Sequence, residues 1–182
     1  MCGRVACALA PSELTKATGA PFGCAECEYH PTHNAPPTTR LPVLVQGADG
    51  AHCIKVMHWG LIPSFAETPA MTLSTFNARI ESLGEKPMFR RLLPQKRCVA
   101  VIEGYYEWQT ANSLKEPYFI TSKQEEVMLL AGLFDCWSNG EETRESFTVI
   151  TRESTKGMCW LHSRMPVMLD SAKVQSWLSG SE

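Results

Sequence analysis

The sequence predicts a β-rich α+β domain, and three observations predict it. Short apolar runs of strand length crowd the middle of the chain: Arg97 to Ile102, Tyr105 to Gln109, Tyr118 to Thr121, Val127 to Phe134 and Phe147 to Thr151. Upstream, Leu41 to Gln46 and His52 to Trp59 flank Gly47-Ala48-Asp49-Gly50, which reads as a hairpin. The chain has no internal repeat and no strict strand–helix–strand alternation, so strands fill the centre and short helices the edges.

In chain order, Ser12-Glu13-Leu14-Thr15 can cap a short first helix that Gly19 stops. Residues Ala20 to Arg40 are rich in Pro, Cys, His and Thr and read as an irregular ordered loop. Pro87 to Leu93 is a short helical candidate with an apolar face and Arg90-Arg91 beside it. A last amphipathic helix is expected from Ser171 to Leu178, with Asp170 as its cap and Gly180 after its end.

The 182 residues fit one domain, 1–182, with a core that needs no staples. Hydrophobic residues make up 44% and charged residues 20%, an ordinary globular balance. No apolar run approaches the roughly 20 residues that span a bilayer. Pro11, Ser12 and Glu13 cut off any apolar signal region early, so no signal peptide and no membrane partner are expected. The eight cysteines are then expected to be mostly reduced, with Cys98, Cys136 and Cys159 as small core hydrophobes. A net charge of -2 argues against broad duplex binding but allows a local arginine-lined groove.

Chemistry-bearing residues concentrate where strands meet turns. The chain opens Met1-Cys2-Gly3-Arg4. Cys2 is either a small, tolerated residue behind the initiator or, with Met1 removed, the bearer of an α-amine and a thiol on adjacent carbons. The amine condenses with an aldehyde and the thiol closes a five-membered thiazolidine. Glu107, between Tyr106 and Trp108, is either a desolvated carboxylate suited to proton transfer or an outward residue on an amphipathic strand. His162 either shuttles protons or satisfies a structural hydrogen bond. Asn34 and Asn77 orient a substrate oxygen or cap a turn. Arg79 and Arg164 contact phosphate or form salt bridges, for Arg79 with Glu81. Cys24, Cys27, His30 and His33 offer thiols and imidazoles within ten residues, but only two residues separate the Cys pair from the first histidine. No metal and no cofactor are expected.

Taken in order, these segments resemble the SOS response-associated peptidase family, which includes proteins that crosslink to abasic sites in single-stranded DNA. The resemblance runs from Met1-Cys2-Gly3-Arg4 through Asn34-Ala35-Pro36, Trp59-Gly60-Leu61-Ile62-Pro63, Asn77-Ala78-Arg79-Ile80-Glu81 and Gly104-Tyr105-Tyr106-Glu107-Trp108. It continues through Pro117-Tyr118-Phe119-Ile120, Ala131-Gly132-Leu133-Phe134 and His162-Ser163-Arg164-Met165-Pro166. It implies a barrel-like core of mixed and antiparallel strands with peripheral helices. It also implies loss of Met1, attack of the Cys2 amine on the ring-opened sugar, and closure of a thiazolidine. Asn34 and Asn77 would line the pocket, and Glu107 and His162 would move protons. Arg4, Arg79 and Arg164 would hold phosphates, and Pro37, Phe65 and Met88 would stack on or split the strand. Where family members often carry two adjacent aromatics, Ser64-Phe65-Ala66 offers one, so weaker stacking is expected. His33 stands where tyrosine is common. The implied partner is single-stranded DNA with an abasic site, met by a monomer in the bacterial cytoplasm at the nucleoid, or in a eukaryotic nucleus. Two other readings use the same residues: a cysteine peptidase acting on other proteins through Cys2, His162 and Glu107, and a non-covalent reader of single-stranded or modified DNA.

Overall fold

In the computed structural model, which describes residues 2–23, 29–69, 75–111 and 114–180, the hairpin at Gly47-Gly50 joins β3 (Arg40–Gln46) to β4 (His52–Trp59). Beside them run β6 (Arg97–Ile102), β9 (Met128–Ser138) and β10 (Thr143–Glu153). Antiparallel pairing runs β4–β3–β6–β9–β10, and a parallel pairing of Ser146 with His58 and Phe147 with Trp59 joins β10 back to β4. Five strands therefore close into a barrel, and closing a sheet removes its exposed edges. Closure forces close approach at Gly132, which pairs with Cys98 on one side and Val149 on the other. A Cβ there would stand 2.7 Å from the Thr148 carbonyl and 3.1 Å from the Cys98 sulfur.

Strands β3 and β6 are buried almost end to end rather than alternately, because both of their faces are covered. Helix α3 (Ser171–Ser179) covers β6 with Val174 and Leu178, and its Trp177 donates Nε1–H to the Cys98 carbonyl at 2.9 Å. Asp170 caps this helix by accepting the Lys173 amide, as expected. Helix α1 (Pro11–Thr18) ends at Gly19 with φ 69. Its start falls at Ala10 rather than at Ser12, and Glu13 accepts the Ala10 amide at 2.6 Å. The helix expected over Pro87 to Leu93 is shorter, α2 (Pro87–Arg90).

A second, four-stranded sheet runs in the order β2–β1–β7–β8: β1 (Val5–Cys7), β2 (Thr32–Ala35), β7 (Gly104–Ala111) and β8 (Leu114–Thr121). Part of the stretch read as irregular loop is thus strand β2, held by Val5 opposite Ala35. Three further short strands attach to the barrel. β5 (Asn77–Arg79) runs parallel to β10, and β11 (Arg164–Pro166) and β12 (Met168–Leu169) pair antiparallel with β10 and β9. No helix among the described residues is long and apolar enough to cross a membrane.

Candidate functional site

Strand β1 carries the site because it lies between β2 and β7. Val5 is opposite Tyr105, and the Tyr106 amide donates to the Arg4 carbonyl at 2.9 Å. Cys2, three residues before β1, lies beside Glu107 of β7. Cys2 is fully buried at 0% exposure. Its carbonyl accepts a hydrogen bond from Asn77 Nδ2 at 2.8 Å, which ties the start of the chain to β5. Asn77 itself is set by its neighbours. Val149 is its partner on β10, and the Phe76 carbonyl takes the Val149 amide and the Trp59 indole N–H, both at 3.0 Å. The remaining polar atom of the amide, Asn77 Oδ1, is buried with no hydrogen-bond partner among the described residues.

Glu107 is 5% exposed, so it is the inward residue of the two possibilities. Alternation along β7 places it on the same face as Tyr105, two residues earlier and 2% exposed. Glu107 Oε1 receives the Trp108 amide at 3.4 Å. Burial, and then the Glu107 carboxylate beside it, push the Cys2 thiol up to about 12. Burial likewise raises the Tyr105 phenol, with Cys2 and Glu107 adding to the effect. The Cys2 thiol is therefore neutral and masked at neutral pH.

A labelling prediction follows from that masking. A thiol with a pKa of about 12 is ionised to about one part in ten thousand at pH 8. In protein that retains Met1, iodoacetamide at pH 8 is expected to reach Cys159, which is exposed rather than the core residue its apolar setting suggests, at least about a hundredfold sooner than Cys2. Peptide mapping of a labelling time course checks this, and equal rates would mean that Cys2 is not enclosed.

His162 stands two residues before β11. Thr151 of β10 is flanked by Arg79 of β5 and by Pro166 of β11, so β5, which bears Asn77, and β11, which follows His162, lie on either side of β10. His162 Nδ1 accepts the Arg164 amide at 2.9 Å, which places the proton of the neutral ring on Nε2. Among the arginines, the structure divides the roles. Arg164 forms a bidentate pair with Glu81 at 2.7 and 2.9 Å and donates to the Thr151 carbonyl at 2.8 Å. That pairing holds the Glu81 carboxyl down at about 2. The two-pronged partner of Glu81 is thus Arg164, 83 residues away, and not its near neighbour Arg79, which is exposed. Arg4 donates to Asn34 Oδ1 at 3.1 Å, so Asn34 orients an arginine from within β2.

The three candidate stacking residues differ in placement. Pro37 is half-buried in the turn Pro36–Thr39, where the Thr39 amide meets the Pro36 carbonyl at 3.3 Å and Thr38 takes φ 79. Met88 packs against the cluster formed by Leu61, Ala78, Leu83, Phe89 and Leu92. Phe65 is 64% exposed, with the Arg91 guanidinium 4.7 Å over its ring. Of the suggested thiol–imidazole cluster, Cys24 and Cys27 lie outside the described residues, and His30 and His33 are exposed. Sequence reasoning missed Tyr105, although its spacing of two from Glu107 is the signal that finds it.

The fold thus buries Cys2 with the Asn77 amide on its carbonyl and the Glu107 carboxylate beside it. The chain belongs to the SOS response associated peptidase family, whose sequence profile matches residues 1–182. The abasic site processing protein HMCES of Xenopus tropicalis is 37% identical, over 100% of this chain and 67% of its own length. The abasic site processing protein YoqW of Bacillus subtilis is 33% identical over 85% of this chain and 69% of its own. The chain thus spans about two thirds of the length of these relatives. A crystal structure of a protein from Bacteroides thetaiotaomicron shares the fold with a TM-score of 0.88 at 24% identity, over 100% of this chain and 82% of that one.

Proposed function

We propose that this protein processes abasic sites in DNA by binding them covalently through Cys2, on single-stranded DNA. The observation that carries the reading is Cys2 itself, fully buried, its carbonyl fixed by Asn77 and the Glu107 carboxylate beside it. The names of relatives at 31–37% identity support it.

The chemistry balances without a cofactor. Removal of Met1, which lies outside the described residues, frees the Cys2 amine. That amine adds to the C1′ aldehyde of the ring-opened sugar and loses water to give an imine. The thiol then adds to the imine carbon, its proton passing to nitrogen, and a thiazolidine closes. Each step needs a proton moved. Glu107 takes the proton from the attacking amine and returns it to the departing hydroxyl, with His162 Nε2–H as the second donor. Asn77 Oδ1, buried and unpartnered, accepts an N–H of the Cys2 amine. Once protonated, the imine places a cation two bonds from the carbon that bears the sulfur, and a neighbouring cation lowers a thiol pKa. Met1 removal therefore activates both halves of the reagent. Exposed Arg79 is free to meet a phosphate, whereas Arg164 holds β11 to Glu81. A monomer acting at the bacterial nucleoid or in a eukaryotic nucleus completes the reading.

The test is a denaturing-gel time course with a single-stranded abasic oligonucleotide. Glu107→Gln and His162→Ala are each expected to slow formation by about a hundredfold or more while yielding the same heat-stable product. Rates matching wild type in both would end the proton-transfer assignment. Intact-mass measurement of the active protein should show a chain that starts at Cys2.

A further inference from the structure

We propose that Asp135, acting through Arg91 and the backbone of residues 62–66, is the positioning residue that holds Phe65 as a rigid stacking surface for a base of the bound strand. This rests on the functional reading above and adds a part to it.

The segment between β4 and β5 leaves the barrel at Gly60, whose amide donates to the Phe147 carbonyl at 2.9 Å. It would be expected to wander, since its backbone pairs with no strand over residues 62–66. Instead, side chains of β9 and β10 tie it at every second residue. Ser146 Oγ accepts the Ile62 amide at 2.8 Å. Asp135 Oδ2 accepts the Ser64 amide at 2.7 Å. Trp137 Nε1–H donates to the Ala66 carbonyl at 2.8 Å. Asp135 and Ser146 are cross-strand partners, and Trp137 follows Asp135 by two, so all three rise from one patch of the barrel wall. Residues 63–66 form a turn closed by the Ala66 amide on the Pro63 carbonyl at 2.9 Å, and these side chains anchor that turn to the barrel wall.

Asp135 carries the greatest part of this. It is 4% exposed, a buried charge that is tolerable only when paired. Its partner is Arg91, which bonds Oδ2 directly and also donates to Ser64 Oγ at 2.8 Å. The carbon of the same guanidinium lies over the Phe65 ring, 4.7 Å from its centroid. One carboxylate therefore fixes both the loop that bears Phe65 and the plate beneath its ring. The other face of Phe65 is open, since the residue is 64% exposed. A large apolar ring so exposed is usually costly and mobile, and here the Ser64 amide beside it is anchored to Asp135 and the Arg91 guanidinium lies over the ring. A planar, apolar, sequence-independent surface backed by a cation is what a nucleobase stacks on.

The experiment measures affinity for undamaged labelled oligothymidylate by fluorescence anisotropy, and amide exchange at Ser64. Phe65→Ala is expected to weaken binding about tenfold. Asp135→Asn should weaken it by about fivefold alone and by less than about twofold in the Phe65→Ala background. Arg91→Met, altered at a half-exposed position and so able to fold, should behave as Asp135→Asn does. Ser64 amide exchange should quicken at least about tenfold in Asp135→Asn, with or without DNA. A loss of affinity from Asp135→Asn that is equal in both backgrounds, or unchanged Ser64 exchange, overturns the proposal while leaving the functional reading intact. A wild-type protein that binds and crosslinks no single strand overturns both.

Discussion

Cys2→Ala is expected to leave no heat-stable complex with single-stranded abasic DNA, a loss beyond about a thousandfold. Cys2→Ser should go further and separate the two halves of the reagent. Serine keeps the α-amine, so the imine still forms, but a hydroxyl is a far weaker nucleophile than a thiol and its five-membered adduct reopens readily. Heating should therefore release the DNA from Cys2→Ser, whereas borohydride, which reduces the imine to a stable amine, should capture it. Both measurements use one denaturing gel, run with and without the reductant. Heat-stable product from Cys2→Ser at wild-type levels without borohydride would show that sulfur is not part of the linkage. A protein that keeps Met1 should give no heat-stable product, since its Cys2 nitrogen is an amide. Cys2 is also tied to the surrounding fold, because Asn77 donates to its carbonyl at 2.8 Å.

Trp59→Ala is expected to cost about 3–5 kcal/mol, the largest loss of any single core substitution considered for this fold. Trp59 is fully buried, meets Phe76 edge-on at a centroid distance of 5.7 Å, and donates its indole N–H to the Phe76 carbonyl. Against a total stability of about 5–15 kcal/mol, that is a fall in melting temperature of about 10 °C. The damage should reach the site, because Phe76 precedes Asn77 and shares its attachment to β10. Crosslinking at a temperature where the variant is still folded should be slowed as well. Trp59→Phe retains most of the packing and loses one hydrogen bond, so about 1 kcal/mol is expected. Thermal melts followed by circular dichroism check both values, and a wild-type melting point for Trp59→Ala would remove Trp59 from the role given to it.

What could be read in the sequence was whatever is local. The β3–β4 hairpin announces itself by Gly47-Ala48-Asp49-Gly50 between two apolar runs, and α3 by the Asp170 cap and the closing Gly180. The barrel followed only from the family resemblance, because nothing in β9 says that it will pair on both sides. Strands β1, β2 and β5 are three or four residues long, too short for a period of two to show, and their partners lie far away in the chain. The same holds within the site. Glu107 sat among aromatics in plain view, while its inward orientation depended on the phase of β7 against Val5. The Arg164–Glu81 pair spans 83 residues and the Arg91–Asp135 pair 44, and neither has a motif. Phe65 was legible as an aromatic, and the parts that hold it were not.

One consequence concerns how copies of this protein meet. The barrel has no open rim along its five strands, but the four-stranded sheet ends in β8, whose outer residues face solvent. Such a border invites another polypeptide to add a strand, the first step of ordered self-association. Here Lys115 and Glu116 place charges along it, and Pro117 at its middle has no amide hydrogen to offer an incoming chain. Leu114, at 67% exposure, is the weak point of this guard. The protein thus presents this border in a form that discourages lateral growth.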